Sequence, residues 1–196
     1  ERLLNIPGEQ EHIGKGISYC AVCDGAFFRD KETAVIGGGN SALEEAVYLT
    51  QFASKVYLIM RRDIFRAEKA VIDSVLANPK IELLQNYIPL RVLDKDGQTG
   101  GLEISYTKSG ETKVLPVSGI FPYIGADPVT DFLKDLPVLD RQGYMIVDSQ
   151  METSVPLLYG AGDVCQKGLR QVVTAASDGA IAAQAAFRKL QATGFF

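Results

Sequence analysis

The sequence YCAVCDG separates Cys20 and Cys23 by two residues and puts Asp24 directly after them. Cysteines at positions i and i+3 can close a small disulfide ring that opens and re-forms, and a neighbouring carboxyl group can exchange a proton with their thiols. A zinc site would need further ligands at a suitable spacing, and Cys165 and His12 do not provide it. We therefore predict a thiol–disulfide exchange centre.

The segment GGGNSA matches the G-x-G-x-x-A fingerprint of dinucleotide-binding loops. In such a loop the first glycine permits a tight turn, the third lets a pyrophosphate approach the backbone, and the alanine lets helix and strand pack closely. A pyrophosphate would lie at the helix N-terminus, where N–H groups are free. An ordinary glycine-rich turn is the alternative, but the flanking strand and helix patterns favour nucleotide binding. The candidate contacts are Gly37, Gly38, Gly39, Asn40 and Ser41.

A basic segment, MRRDIFR, follows the next predicted strand, where an NAD site usually carries an acid for the ribose 2′-hydroxyl. Arg61, Arg62 and Arg66 instead offer guanidinium groups, which bind phosphate through paired hydrogen bonds. This pattern favours NADPH, whose ribose carries a 2′-phosphate. The alternative is a solvated basic turn in which Asp63 pairs with a neighbouring arginine.

The C-terminal region supplies a candidate site for a second cofactor. A nicotinamide delivers two electrons as a hydride, and a flavin normally passes such electrons on to a disulfide. The segment LLYGAGDVCQKGLRQVV predicts a strand that leads into Gly160–Gly162, then Asp163, then a helix that begins near Gln171. The carboxylate could bind a polyol hydroxyl, and the positive helix end suits a reduced flavin. An ordinary strand and helix of small residues is an equal alternative.

To lie close together, these side chains must follow strands that end side by side. The alternation of strand and helix periodicities along the sequence predicts such strands. The first strand, glycine turn, amphipathic helix and second strand form a β-α-β unit, which implies a parallel sheet. Short alternating runs over 91–117, with turns at Asp96-Gly97 and Ser109-Gly110, predict a β-meander over one face of that sheet. We predict strands at 33–36, 55–60, 81–86, 119–125, 144–148 and 157–162, and helices at 41–53, 67–77 and about 171–190.

Composition excludes several classes of protein. The 196 residues are 46% hydrophobic and 22% charged, which is typical of a globular protein. A formal net charge of −4 provides no broad basic field, so we expect no nucleic acid partner. No apolar run is long enough to span a bilayer and no secretion signal is evident, so we expect no membrane association and a cytoplasmic location.

Taken in order, CAVCDG, VIGGGNSALEEA, MRRDIFRAEK, GIFPYIGADP and GAGDVCQKGLRQVVTAASDGAIAA resemble the bacterial-type thioredoxin reductases over nearly the whole chain. The resemblance implies a homodimeric flavoenzyme that moves electrons from NADPH through FAD to its cysteine pair and on to thioredoxin. It implies that Cys23 faces the flavin, that Cys20 attacks thioredoxin and that Asp24 is the acid or base. It assigns the FAD contacts to Gly162, Asp163, Arg170, Gln171 and Val172.

The same resemblance implies an α/β fold with a Rossmann-like NADPH domain, followed by the C-terminal part of a second, FAD-binding Rossmann-like domain. It places an interdomain crossover at 1–7, the NADPH domain with the cysteine pair at 8–125 and the FAD portion at 126–196. The family is thought to rotate one domain against the other, and we expect its hinges near Gly8 and Gly125.

Two departures from the family qualify these expectations. Met60 stands where many members have a histidine. Family members also begin with a segment that carries a separate FAD-binding fingerprint, which this sequence lacks, so we expect a truncated enzyme that binds FAD weakly or not at all. The alternatives are a flavoprotein reductase of a peroxiredoxin and a non-catalytic NADPH-binding fragment; a ferredoxin–NADP reductase of similar fold would lack the cysteine pair.

Overall fold

The structure, a computed structural model, describes residues 1–192 and 194. It divides the chain into two compact units, Glu1–Gly125 and Ala126–Phe196. In chain order the elements are α1 (Glu9–His12), α2 (Ala21–Asp24), a 3-10 helix (Gly25–Phe28), β1 (Glu32–Ile36), α3 (Asn40–Leu49), β2 (Lys55–Met60), α4 (Lys69–Leu76), β3 (Ile81–Gln85), β4 (Tyr87–Lys95), β5 (Gln98–Tyr106), β6 (Thr112–Leu115), β7 (Gly119–Pro122), a second 3-10 helix (Asp131–Leu133) and α5 (Val172–Ala192).

A parallel sheet organises the first unit, with the strand order β3-β2-β1-β7. Its strands are rich in β-branched and aliphatic residues, and β1, β2 and β7 are buried almost throughout because both faces of the sheet are covered. The chain runs from β1 to β2 on one side and reaches β7 on the other. The sheet order therefore reverses between β1 and β7, and ligands of α/β proteins bind at the carboxyl ends of strands at such a point.

The two faces of this sheet are covered by different elements. One face packs against α3 and α4 through a cluster that includes Leu43, Leu58 and Phe121. The other packs against the antiparallel sheet β4-β5-β6 through Ile59 and Ile104, among others. The predicted β-α-β unit and the meander over one face are thus confirmed, and together they give the predicted Rossmann-like fold.

In the second unit, two predictions from the sequence are wrong. The predicted α-helix is present as α5, but the predicted strands at 144–148 and 157–162 are not formed among the described residues. Met145 makes single bridges to Leu139 and Cys165, and Tyr159 makes one to Glu152. Apolar content made these segments look like strands, but a strand also requires consecutive pairing with a neighbour, which the described residues do not offer here.

Candidate redox and nucleotide-binding site

Cys20 and Cys23 form a disulfide bond with a sulfur–sulfur distance of 2.04 Å. Cys20 caps the N-terminus of α2, and its Sγ accepts a hydrogen bond from the Cys23 N–H at 3.1 Å. Cys23 is exposed to solvent, whereas Cys20 is only partly exposed. The predicted pair is therefore assembled as a disulfide at the surface of the first unit.

The helix α2 is a single turn, so neighbouring groups must hold it in place. The Tyr123 hydroxyl accepts a hydrogen bond from the Ala21 N–H at 2.8 Å, and the Ser18 hydroxyl accepts one from the Cys20 N–H at 3.1 Å. Burial raises the pKa of Tyr123 well above its usual value, so its hydroxyl stays neutral. Two side chains from outside the helix thus satisfy N–H groups at its N-terminal end.

Asp24 lies at the end of this turn with its carboxylate directed towards the preceding loop. The Ser18 Oγ donates a hydrogen bond to Asp24 Oδ2 at 2.6 Å. Because the same Ser18 oxygen accepts from the Cys20 N–H, one hydroxyl connects the acid to the first redox residue. The structure therefore brings Cys20, Cys23 and Asp24 together in one helical turn, and their roles in exchange stay a prediction.

The glycine loop lies between β1 and α3 at the point where the sheet order reverses. A Cβ atom on Gly37 would approach the Tyr123 carbonyl oxygen to 2.4 Å and the Ala42 Cβ to 2.7 Å, so this position excludes any side chain. A Cβ on Gly39 would meet only the Arg66 carbonyl oxygen, at 3.8 Å. The first glycine thus serves packing, whereas the third leaves open the side on which a pyrophosphate would approach the backbone.

The basic segment is tied directly to this loop. The Arg66 N–H donates to the Gly38 carbonyl at 2.7 Å, and the Glu68 N–H donates to Asn40 Oδ1 at 2.7 Å. Ser41 is exposed in the first turn of α3. The side chains of the basic segment are therefore held beside the glycines.

A pocket of about 650 Å³ opens beside the loop, at the carboxyl ends of β1 and β2. Within the described part of the chain no ion pair involves the three predicted guanidinium groups, and Asp63 instead lies 3.8 Å from the Lys108 Nζ. The pairing of Asp63 with a neighbouring arginine, which the alternative of a solvated basic turn requires, is therefore not observed among the described residues. Residues that line the pocket include Gly37, Gly38, Met60, Arg61, Arg62, Arg66, Tyr87 and Tyr123.

The predicted flavin-contacting residues of the second unit also lie close together. The Arg170 Nε donates to the Asp163 carbonyl at 3.3 Å, and its guanidinium lies 4.2 Å from the centre of the Tyr144 ring. The Gln171 N–H donates to Thr174 Oγ1 at 3.1 Å, directly before α5. The Asp163 side chain is left exposed at this edge.

A buried carboxylate fixes the turn that carries Asp163. Gly162 has a φ of 85°, and its N–H donates to Asp178 Oδ2 at 3.0 Å. Lys167 pairs with the same carboxylate, and its hydrogen bond is the main reason that the pKa of Asp178 is lowered. Val172, the first residue of α5, is 87% exposed. An exposed acid, an exposed apolar side chain and a helix N-terminus suit a cofactor with polyol and ring portions, so these residues fit part of a flavin site.

Three polar residues were not found by sequence reasoning: Ser18 and Tyr123 at the redox turn, and Glu9 in the segment before it. Glu9 is only 1% exposed, and its carboxylate accepts hydrogen bonds from the Leu4 and Asn5 N–H groups at 2.8 and 2.7 Å. It also accepts a bond from the Tyr19 hydroxyl, whose pKa burial and this acid raise to about 12. No local pattern marks these residues, because their partners are set by the tertiary fold.

Two classes of feature are absent from residues 1–192 and 194. No helix there is both long and apolar enough to cross a membrane. No group of three or more histidine, cysteine, aspartate or glutamate side chains is arranged to hold a metal ion.

Comparisons with known proteins agree with this geometry. The sequence profile of the pyridine nucleotide-disulphide oxidoreductases matches residues 1–179. Thioredoxin reductases of Bacillus subtilis and Listeria monocytogenes are 44% and 41% identical over 181 and 183 residues, which are 92% and 93% of this chain and 57% of each relative. The crystal structure of thioredoxin reductase from Streptococcus pyogenes matches with a TM-score of 0.93 at 44% identity, over 97% of this chain and 62% of that one. The chain thus spans 57–62% of the length of these relatives, which is less than two thirds.

Proposed function

Because the chain belongs to the pyridine nucleotide-disulphide oxidoreductase family, we propose that it carries the NADPH site and the redox disulfide of a thioredoxin reductase. One observation carries the proposal: Tyr123 joins the two sites. Its hydroxyl holds the Ala21 N–H of the redox turn, and its carbonyl packs where Gly37 has no side chain. A nucleotide loop and a surface disulfide held by one residue are the arrangement that such an enzyme needs.

The chemistry of the cysteine pair follows from thiol–disulfide exchange. In the reduced pair the Cys20 thiolate attacks the substrate disulfide, which forms a mixed disulfide and expels one substrate thiolate. The Cys23 thiolate then attacks the Cys20 sulfur, re-forms the internal disulfide and releases the second substrate thiolate. Asp24 takes the proton from Cys23 and delivers it to a departing thiolate. The pair loses two electrons, and the substrate disulfide becomes one thiol and one thiolate, which takes its proton from water.

The more exposed residue of the pair suits the opposite half of the cycle. Cys23 is exposed and Cys20 only partly so, which supports Cys23 as the residue that receives electrons. Bound FAD would supply the two-electron relay between the hydride of NADPH and this disulfide. Asp163 would accept a hydrogen bond from a polyol hydroxyl, and Gly162, Arg170, Gln171 and Val172 would form the turn and helix start around it.

NADPH is the nucleotide that best suits the pocket. We assign the pyrophosphate to the backbone of Gly37, Gly38 and Gly39 and to the first turn of α3 with Asn40 and Ser41. We assign the 2′-phosphate to the guanidinium groups of Arg61, Arg62 and Arg66, which have no carboxylate partner among the described residues.

A protein is a better substrate than a small disulfide because apolar side chains flank the redox turn. Val22 and Phe27 are 54% and 75% exposed within the same stretch as Cys23. Exposed apolar groups beside a reactive centre favour a partner that can cover them. This supports thioredoxin, the substrate after which the matching thioredoxin reductases are named, and we extend the proposal to a cytoplasmic homodimer.

Electron transfer from the chemically reduced chain to oxidised thioredoxin tests the proposal without NADPH or FAD. With oxidised thioredoxin in large excess, we expect one thioredoxin disulfide to be reduced for each chain, and Cys20→Ser to abolish the transfer. Cys165→Ser is the matched control, because Cys165 is free, buried and outside the redox turn. No transfer from the reduced chain, or undiminished transfer by Cys20→Ser, would overturn the proposal.

A further inference from the structure

Ser18 occupies a position that the sheet fixes. The preceding residue, Ile17, bridges to Ile120 of β7, and the Ser18 N–H donates to the Ile120 carbonyl at 3.0 Å. Ser18 is only 8% exposed. Its hydroxyl is therefore anchored by the edge of the parallel sheet rather than by the single-turn helix α2.

The hydrogen bonds of this hydroxyl have a defined direction. A serine hydroxyl has one proton to donate and can accept as well. The Cys20 N–H can only donate, so the hydroxyl accepts that bond at 3.1 Å. Its proton then goes to Asp24 Oδ2 at 2.6 Å, in preference to the Cys20 carbonyl at 3.4 Å.

We propose that Ser18 is a positioning residue for proton transfer in the redox exchange. It holds Oδ2 of Asp24 and leaves Oδ1 as the oxygen that gains and loses the proton. It also holds the backbone of Cys20, so a single hydroxyl sets the acid relative to the attacking sulfur. This inference rests on the proposed function, because it assumes that Asp24 is the acid or base.

The arrangement lets the acid change state without losing its anchor. When Asp24 takes the proton from the Cys23 thiol, the proton goes to Oδ1, and Oδ2 can still accept from Ser18. When the proton passes to a departing thiolate, the carboxylate returns to its starting position. Because the geometry is the same in both states, little reorganisation accompanies each transfer.

A matched pair of variants separates the hydroxyl from the volume of the side chain. Threonine and valine are nearly the same size, and of the two only threonine retains a hydroxyl. We expect Ser18→Val to slow single-turnover reduction of thioredoxin by the reduced chain by about tenfold, a fraction of the usual contribution of general acid–base catalysis. We expect Ser18→Thr to stay within about twofold of Ser18. Ser105→Ala, which changes a serine of similar burial in β5, controls for loss of a buried hydroxyl.

The double variant with Asp24→Asn tests whether Ser18 acts through Asp24. If it does, Ser18→Val causes no further loss once Asp24→Asn is present, whereas independent effects would multiply. The role of Ser18 is overturned if the rate losses of Ser18→Val and Asp24→Asn multiply in the double variant, or if Ser18→Thr and Ser18→Val exchange at equal rates. An Asp24→Asn variant that exchanges at the original rate overturns the proposed role of Asp24 instead, and the inference with it. Should Ser18→Val not fold, a threonine variant with a tenfold loss would by itself refute the inference, and one with the original rate would support it.

Discussion

The basic segment makes a quantitative prediction about the choice of nucleotide. Replacing both Arg61 and Arg62 by alanine removes two guanidinium groups that line the pocket and have no carboxylate partner among the described residues. A hydrogen bond to a charged group contributes roughly 1.5 to 3 kcal/mol, and exposed ion pairs contribute about 1 kcal/mol or less. Because both side chains are exposed, we expect a combined loss of about 2 to 3 kcal/mol.

At about 1.4 kcal/mol for each factor of ten, this loss weakens NADPH binding roughly 30- to 150-fold. NADH has no 2′-phosphate, so its affinity should change less than about threefold. Calorimetric titration of the chain with each nucleotide measures both values, and the preference for NADPH should also shrink as salt is raised. Arg141→Ala, an exposed arginine in the second unit, is the control. Equal losses for the two nucleotides would refute the assignment of the 2′-phosphate to this segment.

Further substitutions test the supports of the site. Tyr123→Phe leaves the buried Ala21 N–H without its acceptor, so we expect urea unfolding to show a loss of about 1 to 3 kcal/mol and faster hydrogen exchange at that amide; unchanged exchange would contradict this. Gly37→Ala inserts a Cβ only 2.4 Å from the Tyr123 carbonyl oxygen, so we expect a destabilisation of about 1 to 3 kcal/mol and loss of NADPH binding, and normal binding would count against the loop geometry. The pKa of Asp178 is lowered in the folded chain, so its carboxylate stabilises the fold above the unfolded pKa of about 3.9, and this contribution is lost as pH falls through the lower folded value. Asp178→Asn should therefore destabilise the chain at neutral pH and much less in strong acid; a loss that does not vary with pH would show that the charge is unimportant.

The cysteine pair and the glycine turn between strand and helix could be predicted because their signals are local. A pair of cysteines at i and i+3, a glycine fingerprint and a helical repeat are each visible within a short stretch of sequence. The last two, with the flanking apolar runs, predict β1, α3 and β2. The strands predicted at 144–148 and 157–162 failed for the opposite reason. Their composition was suitable, but strand formation depends on a neighbour that a local pattern cannot reveal.

The supports of the redox turn could not be predicted because they come from distant parts of the chain. Tyr123 lies 102 positions from Ala21, whose N–H it holds, and no local pattern indicates that contact. Ser18 is nearer, but its significance depends on pairing with β7, which forms from residues far along the sequence. The reactive groups are thus marked in the sequence, whereas the groups that orient them emerge only from the fold.

The reduction potential of the Cys20–Cys23 pair, measured by equilibrating the chain with thioredoxin and quantifying alkylated thiols, is the most direct test of the proposed direction of electron flow. Thioredoxin has a reduction potential of about −270 mV, and a cysteine pair that reduces it must have a potential close to or below that value. We expect a potential within about 30 mV of thioredoxin, which corresponds to about 1.4 kcal/mol for a two-electron couple. For a pair at about −200 mV or above, the equilibrium would favour reduced Cys20 and Cys23 with oxidised thioredoxin by more than about a hundredfold. Such a potential would contradict the proposed function.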